Sequence, residues 1–291
     1  MSIVNAKDIL IEATKGKYAV GAFNITSLVQ MEAVVEIASQ KKAPVIIQTS
    51  VKPAKFYHQD VLVAIYRTLA ESAPVPVCLH LDHCTDVEFC KVCASAGYTN
   101  IMIDASKQAF EENIRQTKEV CDFAHSLSNV SVEGELGTVS GVEDQIKVAE
   151  DEAALCNPEQ VLEFIERTGV DLFAPAIGTA HGVYKTKDPK IDFERMGRIS
   201  KMVNGDKVHT PLVVHGGTGL SEDYIARLIE VGGSKFNVST ELKYVLIDTT
   251  YNYISSCRDE YEPGKVDAAV LDATRQVVGR WMDTLGSSGK A

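Results

Sequence analysis

The stretch Val75–Asp86, which reads V-P-V-C-L-H-L-D-H-C-T-D, decides how the rest of the chain is interpreted. Its apolar run ends abruptly in Asp82 and His83, as a buried parallel strand does where it reaches the edge of a sheet. His80 and Asp82 share one face of this strand, and His83 is the first residue free to turn into the loop. A carboxylate beside an imidazole at a strand end can bind a divalent metal and leave an acid–base group next to it. The alternative is that Asp82 only caps the following helix.

Composition and charge narrow the class of protein. The 291 residues are 45% hydrophobic and 24% charged, which is typical of a globular chain with a large core. A formal charge of −11 argues against nucleic acid or an anionic membrane as the main partner, and no run approaches the roughly 18 apolar residues of a membrane span. Seven unevenly spaced cysteines with no secretory signal predict a reduced, cytoplasmic protein. We interpret Cys90-x-x-Cys93 as structural, because no second pair accompanies it.

Strand-like and helix-like segments alternate along the whole chain. The predicted strands are Tyr18–Asn24, Ala43–Ser50, Val75–Asp82, Asn100–Asp104, Val130–Gly137, Asp171–Gly178, Pro211–Gly217 and Ser234–Thr240. The helices that follow them are Ser27–Gln40, His58–Ala73, Val87–Gly97, Phe110–Leu127, Asn157–Gly169, Asp192–Asn204, Ser221–Gly232 and Glu241–Asp259. A helical pattern within Met1–Lys17 precedes them, and Thr138–Glu152 is predicted to be a polar loop. Eight such units predict a (β/α)8 TIM barrel, an α/β fold.

We expect residues 1–291 to form a single domain in which residues 261–291 are a C-terminal extension, helical over Asp267–Thr284. A doubly wound open sheet gives the same alternation, so polar residues at strand ends are used to choose between the two. They occur at nearly every strand end, as a barrel rim requires, namely Asn24, Ser50, Asp82, Asp104, Glu135, His181, His215 and Asn237. No G-x-G-x-x-G follows the first strand, which argues against a dinucleotide site.

Three of the seven histidines, His83, His181 and His215, follow strands three, six and seven. In a barrel those three loops face one another across the rim, and three imidazoles with an open fourth position make a catalytic zinc site. A hydrolase of the amidohydrolase type needs a His-x-His pair on its first strand, where this chain reads G-A-F-N. We therefore expect the metal to polarise a carbonyl instead.

Glycine and small hydroxyl residues collect after strands six to eight: Gly178, Gly182, Gly216, Gly217, Thr218, Gly219, Ser239 and Thr240. Barrels often bind phosphate in the loops after strands seven and eight, because backbone N–H groups and a helix N-terminus point there. Lys185 adds a positive charge. The pattern predicts a phosphorylated ligand beside the metal.

Seven motifs in order make the chain resemble a class II, metal-dependent ketose-bisphosphate aldolase of the fructose- and tagatose-bisphosphate family. They are Y-A-V-G-A-F-N, L-H-L-D-H, I-M-I-D-A-S, S-V-E-G-E-L-G, I-G-T-A-H-G-V-Y-K, V-V-H-G-G-T-G-L and N-V-S-T-E-L-K. The resemblance implies reversible cleavage of a ketose 1,6-bisphosphate to dihydroxyacetone phosphate and glyceraldehyde 3-phosphate, through a zinc-stabilised enediolate. It implies a homodimer or homotetramer, and a monovalent cation, Na⁺ or K⁺, near the backbone carbonyls of Gly182 and Gly216.

The resemblance also assigns roles to residues of this chain. His83, His181 and His215 would bind zinc, with Asp104 and Glu135 as nearby or alternate ligands. Asp82 would be the acid–base group at the C4 hydroxyl, and Glu143, in the Thr138–Glu152 loop, would move the C1 proton. The dihydroxyacetone phosphate half would contact Gly182, Lys185, Gly216, Gly217, Thr218, Asn237, Ser239 and Thr240. The aldehyde half would contact Asn24 and Ser50.

Three departures from the family pattern bear on the substrate. Ser239 stands where fructose-type members usually have Asp, Cys84 where glycine is usual, and Glu262-Pro263-Gly264-Lys265 where the family has Asp-Pro-Arg for the distal phosphate. Lys265 lacks the bidentate fork of arginine. Two alternatives therefore stay open: an aldolase for a mono-phosphorylated keto acid or sugar, and a non-catalytic subunit that binds a sugar phosphate or stabilises an aldolase.

Overall fold

The computed structural model describes residues 2–143, 146–148, 154–182, 184, 186, 188–205 and 210–291, with side chains for all of these except 142–143 and 146–148. In chain order the strands are β1 Val20–Asn24, β2 Val45–Ser50, β3 Val77–Cys84, β4 Asn100–Ile103, β5 Ser131–Leu136, β6 Ser140–Glu143, β7 Ile146–Val148, β8 Leu172–Pro175, β9 Ala180–His181, β10 Leu212–Val214 and β11 Gly233–Val238. Eight of them close a parallel barrel in the order β1-β11-β10-β8-β5-β4-β3-β2. The predicted (β/α)8 fold is confirmed.

The helices form the outer layer, apart from the first. They are α1 Ala6–Gly16, α2 Leu28–Lys41, α3 Val51–Tyr57, α4 Gln59–Ser72, α5 Val87–Ala96, α6 Phe110–His125, α7 Pro158–Thr168, α8 Phe193–Val203, α9 Glu222–Glu230, α10 Thr240–Ser256 and α11 Pro263–Thr284. Helix α3 was not predicted. Its third residue is Pro53, where the missing N–H costs no hydrogen bond because the first turn has no partner for that group. Helix α11 begins at Pro263, four residues before the predicted start, with proline at its first turn.

Side chains that point into the barrel form layers, because alternate residues of each strand face its axis. The lowest layer is apolar and packs against the buried face of α1; its strand residues are Val20, Ala22, Ile46, Cys78, Leu172, Ala174 and Val213. Helix α1 is tied to the N-terminal ends of the strands. The Ala6 N–H donates to Ser131 Oγ at 3.2 Å, and Lys7 Nζ lies 2.8 Å from Asp171 Oδ1. Helix α1 therefore covers the N-terminal end of the barrel, and an active site can lie only at the opposite, C-terminal mouth.

The segment predicted as the polar loop Thr138–Glu152 contains two strands, which corrects that prediction. Strand β6 pairs with β7 as an antiparallel hairpin and with β9 in parallel, giving a second, three-stranded sheet. Gly141 permits this, because its φ is +108° and a Cβ there would lie 2.3 Å from the His181 carbonyl oxygen. The hairpin is thereby held beside His181.

The C-terminal segment packs on the barrel's helical layer, where α11 contacts α2 and α10. The Gly289 and Ala291 N–H groups donate to the carbonyls of Lys41 and Lys42 at 2.8 and 2.9 Å, past the end of α2. That residues 1–291 form a single domain with an extension from residue 261 stays a prediction. Among the described residues, no helix combines the length and apolarity that a membrane crossing requires.

Candidate active site

Strand β3 presents two consecutive functional side chains at the mouth of the barrel. The prediction that His83 begins the loop is wrong, since β3 runs on to Cys84. His83 has a left-handed φ of 45°, and the register with β4 shifts between Leu81 and Cys84. This irregularity interrupts the alternation, so that Asp82 and His83 both face the site. The cap of α5 is supplied by Asp86, whose Oδ1 accepts the N–H groups of two residues in its first turn. Asp82 is free of that role.

The three predicted histidines lie together. One ring nitrogen from each of His83, His181 and His215 falls in a set whose members are all within 4.8 Å of one another. His83 Nε2 and His215 Nδ1 are 2.7 Å apart, and the His83 and His181 ring centroids are 4.9 Å apart. His181 arrives on β9 of the small sheet. A second such set joins His83 to Asp104 and Glu135.

The hydrogen bonds of two of these rings leave lone pairs that face each other. His83 Nδ1 lies 2.9 Å from Asp104 Oδ2, and His215 Nε2 lies 2.9 Å from Glu133 Oε1. A carboxylate only accepts, so these two nitrogens carry the protons and leave His83 Nε2 and His215 Nδ1 as acceptors. Two acceptors at 2.7 Å repel unless a proton or a metal ion binds both. The donor set therefore fits a zinc ion.

The charges around the histidines agree with a proton held there when no metal is bound. Burial alone would lower the pKa of His83, but the carboxylates of Asp82 and Asp104 outweigh it and hold that pKa well above its usual value. Burial and the neighbouring His83 charge lower the pKa of His215 to about 4. Burial and the charge of Asp104 raise the pKa of Glu135, whose buried Oε2 has no hydrogen-bond partner among the described residues.

Asp82 is fully buried and surrounded by amide donors. Its Oδ2 accepts from Asn24 Nδ2 at 2.8 Å and Gln48 Nε2 at 3.4 Å, and its Oδ1 accepts from Asn237 Nδ2 at 3.1 Å. Burial would raise the pKa of Asp82, but the charge of His83 and the His80 ring, whose Nε2 lies 3.7 Å from Asp82 Oδ1, hold it well below its ordinary value. The carboxylate is thus kept ionised. Ser50 lies opposite Asp82 in the β2–β3 register.

The loops after β9, β10 and β11 meet on one side of the mouth. Gly216 has a φ of +72°, and a Cβ there would lie 2.3 Å from the Ala180 carbonyl oxygen. Within the described structure, the buried hydroxyls of Thr218 and Ser239 have no hydrogen-bond partner, and Thr240 is the first residue of α10. Unpartnered donors at a helix N-terminus suit an anion.

Of the remaining predicted site residues, some lie at the mouth and others fall outside the described part of the chain. Gly182 has a φ of +92°, and no atom of the described residues lies within 4 Å of a Cβ placed there; the Gly217 N–H donates to the Asn237 carbonyl at 3.2 Å. Lys185 lies outside the described residues, as does the side chain of Glu143 at the end of β6. The side-chain amide of Asn237 is held by two other side chains: it donates to Asp82 and accepts from Lys235.

Sequence reasoning missed a buried polar layer directly below the mouth. Glu133 and Lys235 are fully buried, and Glu133 Oε2 lies 2.9 Å from Lys235 Nζ. Each stands two residues before a predicted site residue on the same strand, so the period of two could have found them.

Known proteins match this chain along its length. The profile of the family described as fructose-bisphosphate aldolase class-II matches residues 4–290. The fructose-bisphosphate aldolase of Geobacillus stearothermophilus is 40% identical over 294 residues, covering 100% of this chain and 99% of the relative. That of Helicobacter pylori is 35% identical over 311 residues, covering 99% of each. The solved YdjI aldolase from Escherichia coli K12 has a TM-score of 0.84 at 31% identity, covering 99% of each chain. The chain belongs to the class II fructose-bisphosphate aldolase family, a family of metal-dependent lyases that act on sugar phosphates.

Proposed function

We propose that Asp82 and the three histidines are the working centre of this class II aldolase. The reaction is reversible cleavage of fructose or tagatose 1,6-bisphosphate to dihydroxyacetone phosphate and glyceraldehyde 3-phosphate. The observation that carries the proposal is the irregularity at His83, which brings an ionised, buried carboxylate next to three converging imidazoles. The carboxylate can act as a base, and the imidazoles beside it can bind a metal ion that acts as a Lewis acid.

The chain's own groups divide the work of breaking the C3–C4 bond. Asp82 accepts the proton of the C4 hydroxyl, while Asn24 and Asn237 hold its carboxylate by hydrogen bonds. Zinc bound by the histidines would stabilise the negative charge that develops on the ketone half. Glu143 is proposed to move the proton at C1, and Asp104 and Glu135 to support the metal.

The phosphate of the dihydroxyacetone half is assigned to the side of the mouth with unpartnered donors. The proposed contacts are Gly182, Lys185, Gly216, Gly217, Thr218, Ser239 and Thr240. Asn24 and Ser50 are proposed to line the aldehyde half. The Na⁺ or K⁺ ion near Gly182 and Gly216 stays a proposal; the Gly216 carbonyl accepts a hydrogen bond from Tyr184 Oη at 2.8 Å, and a second lone pair is left for a cation.

Coupled assays on purified protein test this function. We expect turnover of fructose 1,6-bisphosphate or tagatose 1,6-bisphosphate, loss of activity after chelation, and recovery with Zn²⁺, since removal of the metal removes the charge stabilisation. Full activity after verified metal removal would contradict the proposal. A mono-phosphorylated keto acid serves as a third substrate, and turnover of it alone would favour the alternative raised by Gly264. Zinc binding without turnover of any of the three would favour a non-catalytic subunit.

We also propose that copies of the chain associate through α10. Tyr244, Ile247, Tyr251 and Ile254 fall on one helical face, and the side chains of Ile247 and Tyr251 are 65% and 70% exposed. Contiguous exposed apolar residues of this size mark interfaces. A homodimer or homotetramer would cover them.

Ile247→Asp together with Tyr251→Asp is expected to lower the molar mass measured by light scattering, from a homodimer to a single chain or from a homotetramer to a smaller assembly, because two carboxylates would have to be buried in the interface. Leu162→Asp, which introduces one aspartate at an exposed position of α7, is the control. An unchanged mass in the double variant would rule out this face.

All seven cysteines are free thiols, six of them buried. Unpaired cysteines in such number are typical of a reducing compartment, and we propose a cytoplasmic location.

A further inference from the structure

We infer that Lys235 is a positioning residue for this reaction: it orients Asp82 through Asn237 and His215 through Glu133. The inference rests on the proposed function. Lys235 is fully buried on β11, with its ammonium in the layer beneath the mouth. Nothing in the proposed chemistry uses it directly, since it does not reach the mouth and its donors are taken by protein groups.

The first relay fixes an amide. Lys235 Nζ donates to Asn237 Oδ1 at 2.9 Å, and Asn237 Nδ2 donates to Asp82 Oδ1 at 3.1 Å. An ammonium can only donate, so it selects the amide orientation that turns N–H toward the Asp82 carboxylate. Without Lys235 the amide is free to flip and present its oxygen to that carboxylate, which would repel it.

The second relay fixes a ring. Lys235 Nζ donates to Glu133 Oε2 at 2.9 Å, and Glu133 Oε1 accepts from His215 Nε2 at 2.9 Å. The bound carboxylate keeps the His215 proton on Nε2, so Nδ1 faces His83 and the metal site. Outer partners of this kind usually contribute 10- to 100-fold to metal affinity. One ammonium therefore orients both Asp82 on β3 and His215, the residue directly after β10.

Burial cost argues that this ion pair is kept for position and not for stability. Replacing a buried ion pair by apolar residues is often neutral or stabilising. The layer just below, which includes Leu172 and Val213, is already apolar. Apolar side chains at both positions 133 and 235 would extend that layer, whereas loss of Lys235 alone leaves the buried Glu133 carboxylate without its counter-charge.

The test compares Lys235→Met, which keeps the length of the side chain without its charge, with Leu172→Ala as a control that perturbs the apolar layer. For K235M we expect zinc affinity, measured by chelator competition, to fall about 10- to 100-fold. We expect kcat at saturating zinc to fall at least about tenfold with KM little changed, and the visible spectrum of the cobalt-loaded protein to shift. L172A should lower the thermal midpoint of unfolding but leave the zinc affinity, kcat and the cobalt spectrum unchanged.

Lys235→Gln, which keeps one donor, replaces K235M if that variant does not fold, with smaller effects expected in the same direction. The unmutated zinc-free protein gives a further readout, because ¹⁵N shifts should show His215 protonated at Nε2. Parental zinc affinity, kcat and cobalt spectrum in a folded variant would overturn the inference, and so would a proton on Nδ1. If the wild-type protein cleaved no sugar phosphate, the zinc, cobalt and ¹⁵N measurements would still decide the His215 relay.

Discussion

Asp82→Asn is expected to lower kcat by about 100- to 10,000-fold, because the C4 hydroxyl loses the group that accepts its proton. This corresponds to about 3–5 kcal/mol of transition-state stabilisation. The substitution keeps the size of the side chain, and KM should change little. Steady-state assays on the preferred bisphosphate, with zinc content measured on the same samples, give the result.

Asp86→Asn is the matched control for this variant. It makes the same chemical change four residues away, on an exposed side chain that caps α5, where asparagine caps equally well. Its activity should stay near that of the parent protein. If D82N kept more than about a tenth of the parental kcat with full zinc occupancy, Asp82 would not be the base.

Zinc affinity is expected to rise with pH, by about tenfold per unit for each proton displaced. The negative charges of Asp82 and Asp104 outweigh burial and hold the pKa of metal-free His83 well above its ordinary value, so its ring keeps a proton at pH values where a free imidazole has lost it. Metal binding requires the neutral ring, and the proton must leave. Affinity therefore falls as the pH falls through this range.

Titration calorimetry in two buffers of different ionisation enthalpy counts the protons released. We expect at least one per zinc at pH 7, with Glu135 as the source of a second because burial and the charge of Asp104 raise its pKa. His125→Gln is the control; its ring pairs with Asp171 at the other end of the barrel and should not alter the count. Release of no proton would contradict the shared-proton arrangement of His83 and His215.

Local patterns were sufficient for the barrel and for most residues of its rim. Apolar runs that end in polar residues, followed each time by helical spacing, gave eight units, and strand ends placed Asp82, His215 and Asn237 at the mouth. The same sequence patterns failed where an irregular backbone sets the position of a residue. It predicted a loop over Thr138–Glu152, and it placed His83 beyond the strand.

The sequence by itself determined the fold class, the end of the barrel that carries chemistry, and the kinds of ligand available there. These depend on residue periodicity and on residue type, which are local properties. The tertiary structure decided that His83 Nε2 and His215 Nδ1 face each other, and that Lys235 lies beneath both Asn237 and Glu133. Those contacts join residues up to 132 positions apart. Barrel closure and strand register alone bring them within hydrogen-bonding distance.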